Sequence, residues 1–223
     1  MSEVRLPQQR CKLGPPINQM DSVLQVFAVD DDPIVLRAIE RMLGSHNIAV
    51  EGFTSPDAFL ARLPYEGVAC VLLDLKMPGL SGLDVQAAMM ARGISMPIIF
   101  LSAQSDVPST VLAMRGGAVD FLEKPMDEEQ LLAALERARL ESVSMRQEQR
   151  RQRDAEERLA RLTKREREVC DLVAAGLLNK QIAHELGMSE KTVKVHRGRV
   201  TRKLDVSSVA ALVRLLSTRE SRN

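Results

Sequence analysis

Aromatic residues and cysteine are scarce in this sequence. Among 223 residues there is no Trp and one Tyr, and the cysteines stand at positions 11, 70 and 170. An odd number of widely separated cysteines without a Cys-x-x-Cys pair argues against a disulfide framework and against a cysteine-based zinc site. Cys70 lies within an apolar run, so we expect it to be a small residue of the core.

Long apolar runs are also absent. None approaches the roughly 18 residues that a membrane span requires, and residues 1–20 have charges and prolines where a secretory signal has an apolar segment. We therefore expect a cytoplasmic protein without a membrane partner. Residues 1–21 show no periodicity and are expected to form a disordered extension, with Met20 as an alternative start of translation.

The charge of the chain is divided between its two halves. The net charge is +1, but residues 20–126 carry 7 Lys and Arg against 13 Asp and Glu, whereas residues 163–223 carry 13 against 7. An acidic part joined to a basic part suggests two domains with different tasks, and the length allows two. Nucleic acid is the obvious partner of a basic domain, although a merely hydrated surface gives the same count.

Residues 23–123 alternate between apolar runs typical of β-strands and segments with helical periodicity. The β-type runs cover residues 23–29, 47–53, 68–74, 96–102 and 119–123. This alternation predicts an α/β fold with a doubly wound five-stranded parallel sheet, whose functional sites lie at the carboxyl ends of the strands. The residues at those ends are Asp30, Asp74, Ser102 and Lys124.

The rest of the chain is predicted to be helical. Residues 127–162 contain no Gly or Pro and are rich in Glu, Arg, Gln, Leu and Ala, which indicates one long charged helix. Its apolar residues are concentrated at the two ends, so a partly exposed helix is a better interpretation than a sustained coiled coil. Residues 163–218 have the pattern of four short helices, which predicts an all-α domain.

The strand ends of the predicted sheet bring carboxylates, a hydroxyl and an ammonium group to one edge. Clustered carboxylates repel one another and normally need a cation, and an all-oxygen set suits Mg²⁺. A phosphoryl group fits beside them: Asp74 is then the nucleophile that forms an aspartyl phosphate, Lys124 and Mg²⁺ neutralise phosphoryl oxygens, and Ser102 donates a hydrogen bond. Taken singly, each residue also suits an ordinary turn or helix cap.

Four ordered motifs in this region carry a family resemblance. They are Val-Asp-Asp-Asp at 29–32, Leu-Leu-Asp-Leu-Lys-Met-Pro-Gly-Leu-Ser-Gly at 72–82, Phe-Leu-Ser-Ala at 100–103 and Phe-Leu-Glu-Lys-Pro at 121–125. They resemble the receiver domain of two-component response regulators, which implies that the sheet is of the flavodoxin-like type. The resemblance implies that Asp74 accepts a phosphoryl group from a sensor histidine kinase.

The same resemblance implies roles for the neighbouring residues. The implied Mg²⁺ ligands are Asp30, Asp31, Asp74 and the backbone carbonyl of Lys76. Lys124, with a cis bond to Pro125, would bind the phosphoryl group, and Ser102 with Phe121 would form the switch pair that reports phosphorylation. Phe121 stands where Tyr would supply a hydroxyl, so a switch that needs that hydrogen bond is not available. The resemblance assigns no role to Asp32.

A turn between two short predicted helices marks the basic half. Gly187 at the turn gives the helix-turn-helix arrangement, and Ser189 is placed to cap the second helix, whose N-terminal turn is then free to approach a phosphate. The apolar residues available for packing are Ile182, Ala183, Leu186, Val193, Val195 and Val200. The second helix carries enough Lys and Arg for the phosphate contacts that dominate DNA affinity.

Residues 162–204 resemble the LuxR-type helix-turn-helix of the FixJ/NarL subfamily of response regulators. The resemblance includes the opening Leu-Thr-x-Arg-Glu and the Thr-Val-Lys-x-His of the recognition helix. It implies that Lys194, Val195 and Gly198 face base edges, although Gly198 has no side chain for a base contact, and that Arg197 and Arg199 touch phosphates. The residues expected at the DNA are Lys191, Thr192, Lys194, Val195, His196, Arg197, Arg199 and Lys203.

Together the two resemblances predict four segments: the extension at 1–21, a receiver domain at 22–140, a helical linker at 141–161 and a DNA-binding domain at 162–223. They imply a phosphorylation-dependent transcription regulator and not an enzyme. The chemistry of such a regulator is limited to self-phosphorylation and loss of the phosphoryl group. The implied partners are a sensor histidine kinase, double-stranded DNA with a roughly two-fold site, a second copy of the chain after phosphorylation, and RNA polymerase.

Two other interpretations stay open on sequence alone. Asp30-x-Asp32 formally supplies the Asp-x-Asp of a Mg²⁺-dependent phosphohydrolase of the haloacid-dehalogenase type, although Pro33 does not suit that motif. Phosphate-ester turnover lost in Asp30→Asn and kept in Asp74→Asn would favour this enzyme. The second alternative is a DNA-binding protein regulated without phosphate, which DNA affinity indifferent to beryllofluoride would favour.

Overall fold

The computed structural model describes residues 23–103 and 107–220. The chain divides into two compact units, Met1–Met145 and Arg146–Asn223, and apolar clusters of the described residues form a core in each. The predicted N-terminal extension at 1–21, with Cys11 and Met20, lies outside the described residues.

A five-stranded parallel sheet organises the first unit. Its strands are β1 (Gln25–Val29), β2 (Ala49–Phe53), β3 (Ala69–Asp74), β4 (Ile98–Ser102) and β5 (Asp120–Glu123), in the order β2-β1-β3-β4-β5. The helices of this unit are α1 (Pro33–Gly44), α2 (Pro56–Arg62), α3 (Gly82–Ala91), α4 (Val107–Arg115) and the beginning of α5 (Glu128–Ala160). The strand order reverses between β1 and β3, as in doubly wound sheets, so the predicted fold class is confirmed.

Apolar side chains cover both faces of this sheet. Successive side chains of a strand point to opposite faces, which is why Leu72 and Leu73 belong to different core clusters. β3 is buried along its whole length, and this explains the unbroken apolar run before Asp74. Cys70 is a fully buried core residue, as predicted, and burial raises the pKa of its thiol to about 12, which makes it unreactive.

Helices alone form the core of the second unit. They are α6 (Lys164–Ala174), α7 (Asn179–Glu185), α8 (Glu190–Leu204) and α9 (Val209–Glu220), together with the end of α5. Leu159 of α5 belongs to this core, and Ala155, one turn earlier, is fully buried. The last turns of the segment expected to be a linker therefore pack as part of the second unit. No described helix is long and apolar enough to span a lipid bilayer.

Candidate functional site

The residues that the sequence places at strand ends meet at one edge of the sheet. Asp30 follows β1, and its amide donates to the carbonyl of Phe53 at the end of β2. Asp74 ends β3 and Ser102 ends β4, while the amide of Lys124 donates to the carbonyl of Ser102 at 2.7 Å. Asp30, Asp74 and Ser102 are only 1%, 5% and 2% exposed. The edge thus holds buried polar groups where a sheet of this type places its site.

Lys124 joins the two buried carboxylates. Its Nζ lies 2.5 Å from Asp30 Oδ2 and 2.5 Å from Asp74 Oδ1. The second oxygen of each carboxylate accepts from the backbone: Oδ1 of Asp30 from the amide of Asp32 at 3.0 Å, and Oδ2 of Asp74 from the amide of Lys76 at 3.0 Å. The orientation of both carboxylates is therefore fixed by one ammonium group and two backbone amides.

Burial and the lysine act in opposite directions on the acidity of Asp74. Burial raises the pKa of its carboxyl above the usual value, and the hydrogen bond and charge of Lys124 offset that rise only in part. Burial alone would lower the pKa of Lys124, but its hydrogen bonds to Asp30 and Asp74 outweigh burial, and the pKa is raised. Lys124 thus remains an ammonium ion. Asp74 is more basic than an ordinary aspartate, so a nearby positive charge stabilises its ionised carboxylate.

The loop after Asp74 is held against the end of β3 by glycine. The amide of Gly82 donates to the carbonyl of Leu75 at 3.0 Å. A Cβ at position 82 would collide with the backbone carbonyl of Asp74 and lie 3.0 Å from the Phe100 ring. Gly79 has φ of 84°, which favours glycine. On the other side of the site the bond between Lys124 and Pro125 is cis, as the resemblance implied.

The remaining acidic-site residues have distinct environments. Asp32 caps α1, since its Oδ1 accepts from the amide of Ile34 at 2.7 Å, so the third acid of the motif has a structural role. Asp31 and the side chain of Lys76 are exposed. Phe121 is half-buried and packs against the core cluster that contains Phe100.

The carboxylate oxygens at this edge are the type of ligand that a hard divalent cation prefers. Two buried carboxylates share one ammonium group, which leaves one negative charge in excess where little water enters. Asp31, the next residue after Asp30, is exposed, and Mg²⁺ prefers oxygen ligands. As placed, Lys124 lies between Asp30 and Asp74, and within the described residues no three Asp, Glu, His or Cys side chains converge to hold an ion.

In the second unit, α7 and α8 form a helix-turn-helix. Gly187 in the turn has φ of 61°, and Ser189 caps α8 by accepting from the amide of Thr192 at 3.1 Å, as predicted. Val193 and Val200 of α8 are buried in the core. Val195, one of the residues that the sequence offered for packing, is instead 49% exposed. The residues exposed on α8 include Lys191, Thr192, Lys194, Val195, Gly198 and Arg199.

Three of the expected DNA-contacting residues of α8 are directed into their own unit. Arg197 is half-buried and its Nη1 donates to Asn179 Oδ1 at 2.7 Å. His196 is half-buried, and its Nδ1 has no hydrogen-bond partner among the described residues. Lys203 Nζ lies 2.6 Å from Glu166 Oε2. The DNA contact expected of Lys203 stays a prediction, and in the described structure its ammonium group is paired with a buried carboxylate.

The sequence interpretation missed the partners of these side chains. Glu166 is 3% exposed and forms a capping box with Thr163 at the start of α6. The pattern Thr-x-x-Glu before a helical segment was a signal for that box, but it did not indicate Lys203 as a further partner. Nor did the sequence indicate Arg158 of α5, whose Nη1 donates to the carbonyl of Leu204 at 3.2 Å. Both contacts join residues that are distant in the chain.

Comparison with protein families assigns each half of the chain. Residues 26–136 match the family described as response regulator receiver domain, and residues 160–216 match the family described as bacterial regulatory proteins, luxR family. The first match covers β1 to the first turns of α5, and the second covers α6, α7 and α8 with most of α9.

Several curated proteins and solved structures are similar over most of the chain. The response regulator protein TodT of Pseudomonas putida is 42% identical over 87% of this chain and 86% of its own length. The transcriptional regulatory protein FixJ of Azorhizobium caulinodans is 41% identical over 88% and 93%. Among solved structures, the response regulator StyR has a TM-score of 0.76 at 42% identity, covering 87% of this chain and 98% of its own. Full-length FixJ from B. japonicum has a TM-score of 0.54 at 36% identity over 89% and 98%.

Proposed function

Because the chain belongs to the two-component response regulators that join a receiver domain to a LuxR-type DNA-binding domain, we propose that Asp74 accepts the phosphoryl group and that α8 reads DNA. A chain of this architecture is a phosphorylation-dependent transcription regulator.

The observation that carries the proposal is the environment of the Asp74 carboxylate. It stands at the carboxyl end of a buried strand, its pKa is raised by burial, and Lys124 and the amide of Lys76 fix its two oxygens. A nucleophile needs to be basic and oriented, and Asp74 has both properties. In the transfer, the bond from phosphorus to the ring nitrogen of a kinase phosphohistidine breaks, the electron pair stays on that nitrogen, and a bond forms from phosphorus to an Asp74 oxygen.

The neighbours of Asp74 would stabilise the charge of the transferred group. Lys124 already contacts Asp74 and supplies a positive charge for phosphoryl oxygens. The residues proposed to hold Mg²⁺ are Asp30, Asp31, Asp74 and the carbonyl of Lys76. The ion supplies, when bound, further positive charge against the phosphoryl oxygens.

We propose that Ser102 and Phe121 report the phosphorylated state. Ser102 is buried at the end of β4, next to β5 in the sheet, and position 121 lies in β5. A phosphoryl group at Asp74 offers an acceptor to the Ser102 hydroxyl. Movement of Ser102 frees space that the half-buried Phe121 ring can occupy without a hydroxyl of its own. The switch is therefore one of packing and not of a phenol hydrogen bond.

The output of the switch is proposed to be dimerisation and DNA binding. α4 follows Ser102 in the chain and exposes the apolar side chains of Val111, Leu112 and Met114, which suits a face for a second copy. Two copies would place two α8 helices on a roughly two-fold DNA site, and linkage of two half-site contacts raises apparent affinity. RNA polymerase is the proposed partner at the promoter, and the cytoplasm is the proposed compartment because chromosomal DNA is there.

The proposed base-reading residues are those that α8 leaves exposed. Lys194 and Val195 are placed for base edges, and Lys191, Thr192 and Arg199 for phosphates. His196 and Arg197 are half-buried. They are proposed to contact the DNA backbone, and not base edges, with the part of each side chain that stays exposed. Lys203 is left out of this set because of its pairing with Glu166.

The phosphohydrolase alternative has no support. Asp32, which that enzyme requires as the second acid of Asp-x-Asp, is the N-cap of α1, and both family matches are to regulators. The alternative of a DNA-binding protein regulated without phosphate is separated from the proposal by experiment.

The test measures DNA affinity with and without beryllofluoride and Mg²⁺. The probe is a duplex enriched from a random pool by the wild-type protein. We expect beryllofluoride to raise the affinity of the wild type and of Asp57→Asn, an exposed acid at the start of α2, and to leave Asp74→Asn unchanged. Equal affinity of the wild type with and without beryllofluoride would contradict the proposal.

A further inference from the structure

The ends of α5 and α8 exchange hydrogen bonds in a reciprocal manner. Arg158, in the last turn of α5, donates to the carbonyl of Leu204, the last residue of α8. Lys203, in the last turn of α8, donates to the carbonyl of Arg161, just after the end of α5, at 3.1 Å. The last carbonyls of a helix have no partner within it, and cations are favoured there by the helix dipole. Each helix thus supplies the cation that the other helix end needs.

A buried carboxylate fixes one half of this arrangement. Lys203 Nζ lies 2.6 Å from Oε2 of Glu166, which is 3% exposed, and Oε2 also accepts from the amide of Thr163 at 2.9 Å. The hydrogen bond from Lys203 is the main reason why the pKa of Glu166 falls to about 2. Withdrawal of Lys203 from this pair would leave a buried charge without its partner, which is costly. Lys203 is therefore held by partners within its own unit.

Apolar packing fixes the other half. Leu204 is fully buried and lies in the same core cluster as Leu159 of α5. Arg158 is additionally oriented by Asp154, whose Oδ2 lies 2.9 Å from its Nη2. The C-terminal turn of α8 is thus held at the end of α5 by the burial of Leu204 in the core and by the hydrogen bonds of Arg158 and Lys203.

We propose that Arg158, Lys203 and Glu166 are positioning residues for DNA recognition, which hold the end of α8 so that its exposed side chains meet base edges in register. The inference rests on the proposed role of α8 as the DNA-reading helix. A helix of 15 residues is about 22 Å long, so a small tilt at its C-terminal end moves Lys191 and Lys194 by ångströms. Base-edge hydrogen bonds tolerate little displacement, whereas phosphate contacts tolerate more.

The test compares specific and non-specific binding by full-length variants. The probes are the duplex enriched by the wild type and an unrelated duplex of equal length. For Lys203→Met we expect roughly tenfold weaker binding to the enriched duplex, the loss of about one base contact, and unchanged binding to the unrelated one. Glu166→Gln is also expected to weaken binding to the enriched duplex. The double variant should bind no more weakly than the weaker-binding single variant, because both substitutions break the same ion pair. Arg158→Met should show the same pattern more weakly.

The salt dependence of binding distinguishes positioning from a phosphate contact. Removal of a phosphate contact lowers the slope of log K against log salt by about one, which is the result expected for Lys191→Ala. For Lys203→Met the slope should be unchanged. A reduced slope for Lys203→Met, with Glu166→Gln binding as well as the wild type, would overturn the inference and return Lys203 to the phosphate contacts.

Folding and the proposed function are controlled separately. Arg153→Met alters an exposed arginine of α5, the helix that carries Arg158. This variant should bind both duplexes as the wild type does. Equal losses on both duplexes for Lys203→Met and Arg158→Met would indicate partial unfolding and would contradict positioning. Failure of the wild type to enrich any duplex, or full specific binding by Lys194→Ala and Lys191→Ala, would contradict α8 as the DNA-reading helix, and with it this inference.

Discussion

Lys124 Nζ lies 2.5 Å from Asp74 Oδ1, and it is the charged side chain that opposes the effect of burial on this carboxyl. In Lys124→Met the lysine contribution is lost while burial remains, so we expect the pKa of Asp74 to rise further. A carbon-detected NMR titration of the Asp side-chain carboxyls measures this. Arg41→Met, at the far end of α1, is the matched control and should leave the pKa of Asp74 as it is. An unchanged or lower pKa in Lys124→Met would contradict the electrostatic account of the site.

Gly82 is expected to be intolerant of any side chain, because a Cβ there collides with the carbonyl of Asp74. Gly82→Ala should lower the free energy of unfolding by about 1–3 kcal/mol and slow phosphorylation, since the loop after Asp74 is displaced. Urea unfolding and the rate of phosphoryl uptake measure the two effects. Gly44→Ala, at a helical position with nothing within 4 Å of the new Cβ, should be neutral or stabilising by up to about 1 kcal/mol. Equal behaviour of the two variants would refute the close approach.

The helix caps of the second unit give a matched pair of predictions with opposite signs. α7 begins after Leu178, which is 70% exposed and makes no side-chain capping bond, whereas α8 begins after Ser189, which does. Leu178→Ser should raise the free energy of unfolding of this unit by about 1 kcal/mol, and Ser189→Ala should lower it by about 1 kcal/mol. Denaturant midpoints followed at methyl groups of the second core report both. A loss of stability in Leu178→Ser would contradict the capping account.

Glu166 makes the stability of the second unit depend on pH in the acid range. Its pKa is lowered from 4.5 to about 2 in the folded chain, mainly by Lys203. A carboxyl with a lowered folded pKa stabilises the fold above its unfolded pKa, and this contribution is lost as pH falls toward the folded value. We therefore expect the difference in unfolding free energy between wild type and Glu166→Gln to shrink between about pH 4.5 and about pH 2. A difference that does not vary with pH would indicate that Glu166 is not paired in solution.

Much of the acidic site was predictable because one topological rule acts on local patterns. Apolar runs that end in Asp30, Asp74 and Ser102 indicate parallel strands, and parallel strands bring their carboxyl ends to one edge. The ion pairs of Lys124 with Asp30 and Asp74 follow from that convergence.

The roles of Asp32 and Lys203 were not predictable in the same way. Asp32 is adjacent in sequence to the acids that are proposed to bind Mg²⁺, and its use as a helix cap depends on backbone dihedral angles at the start of α1. Lys203 belongs to a basic helix, and its pairing with Glu166, 37 positions earlier, depends on how α6 and α8 pack. Tertiary partners of charged side chains are not encoded in the period of one helix, so a basic residue on a DNA-binding helix is not necessarily a DNA contact.

The central claim is that Asp74 is the residue that receives the phosphoryl group. It is tested most directly by incubation of the full-length wild type, Asp74→Asn and Asp57→Asn with acetyl phosphate and Mg²⁺, followed by mass spectrometry of the intact chains and of their peptides. The account predicts the added mass of one phosphoryl group in wild type and Asp57→Asn, located on the peptide that contains Asp74, and no addition in Asp74→Asn. Phosphoryl uptake by Asp74→Asn equal to that of the wild type would contradict it.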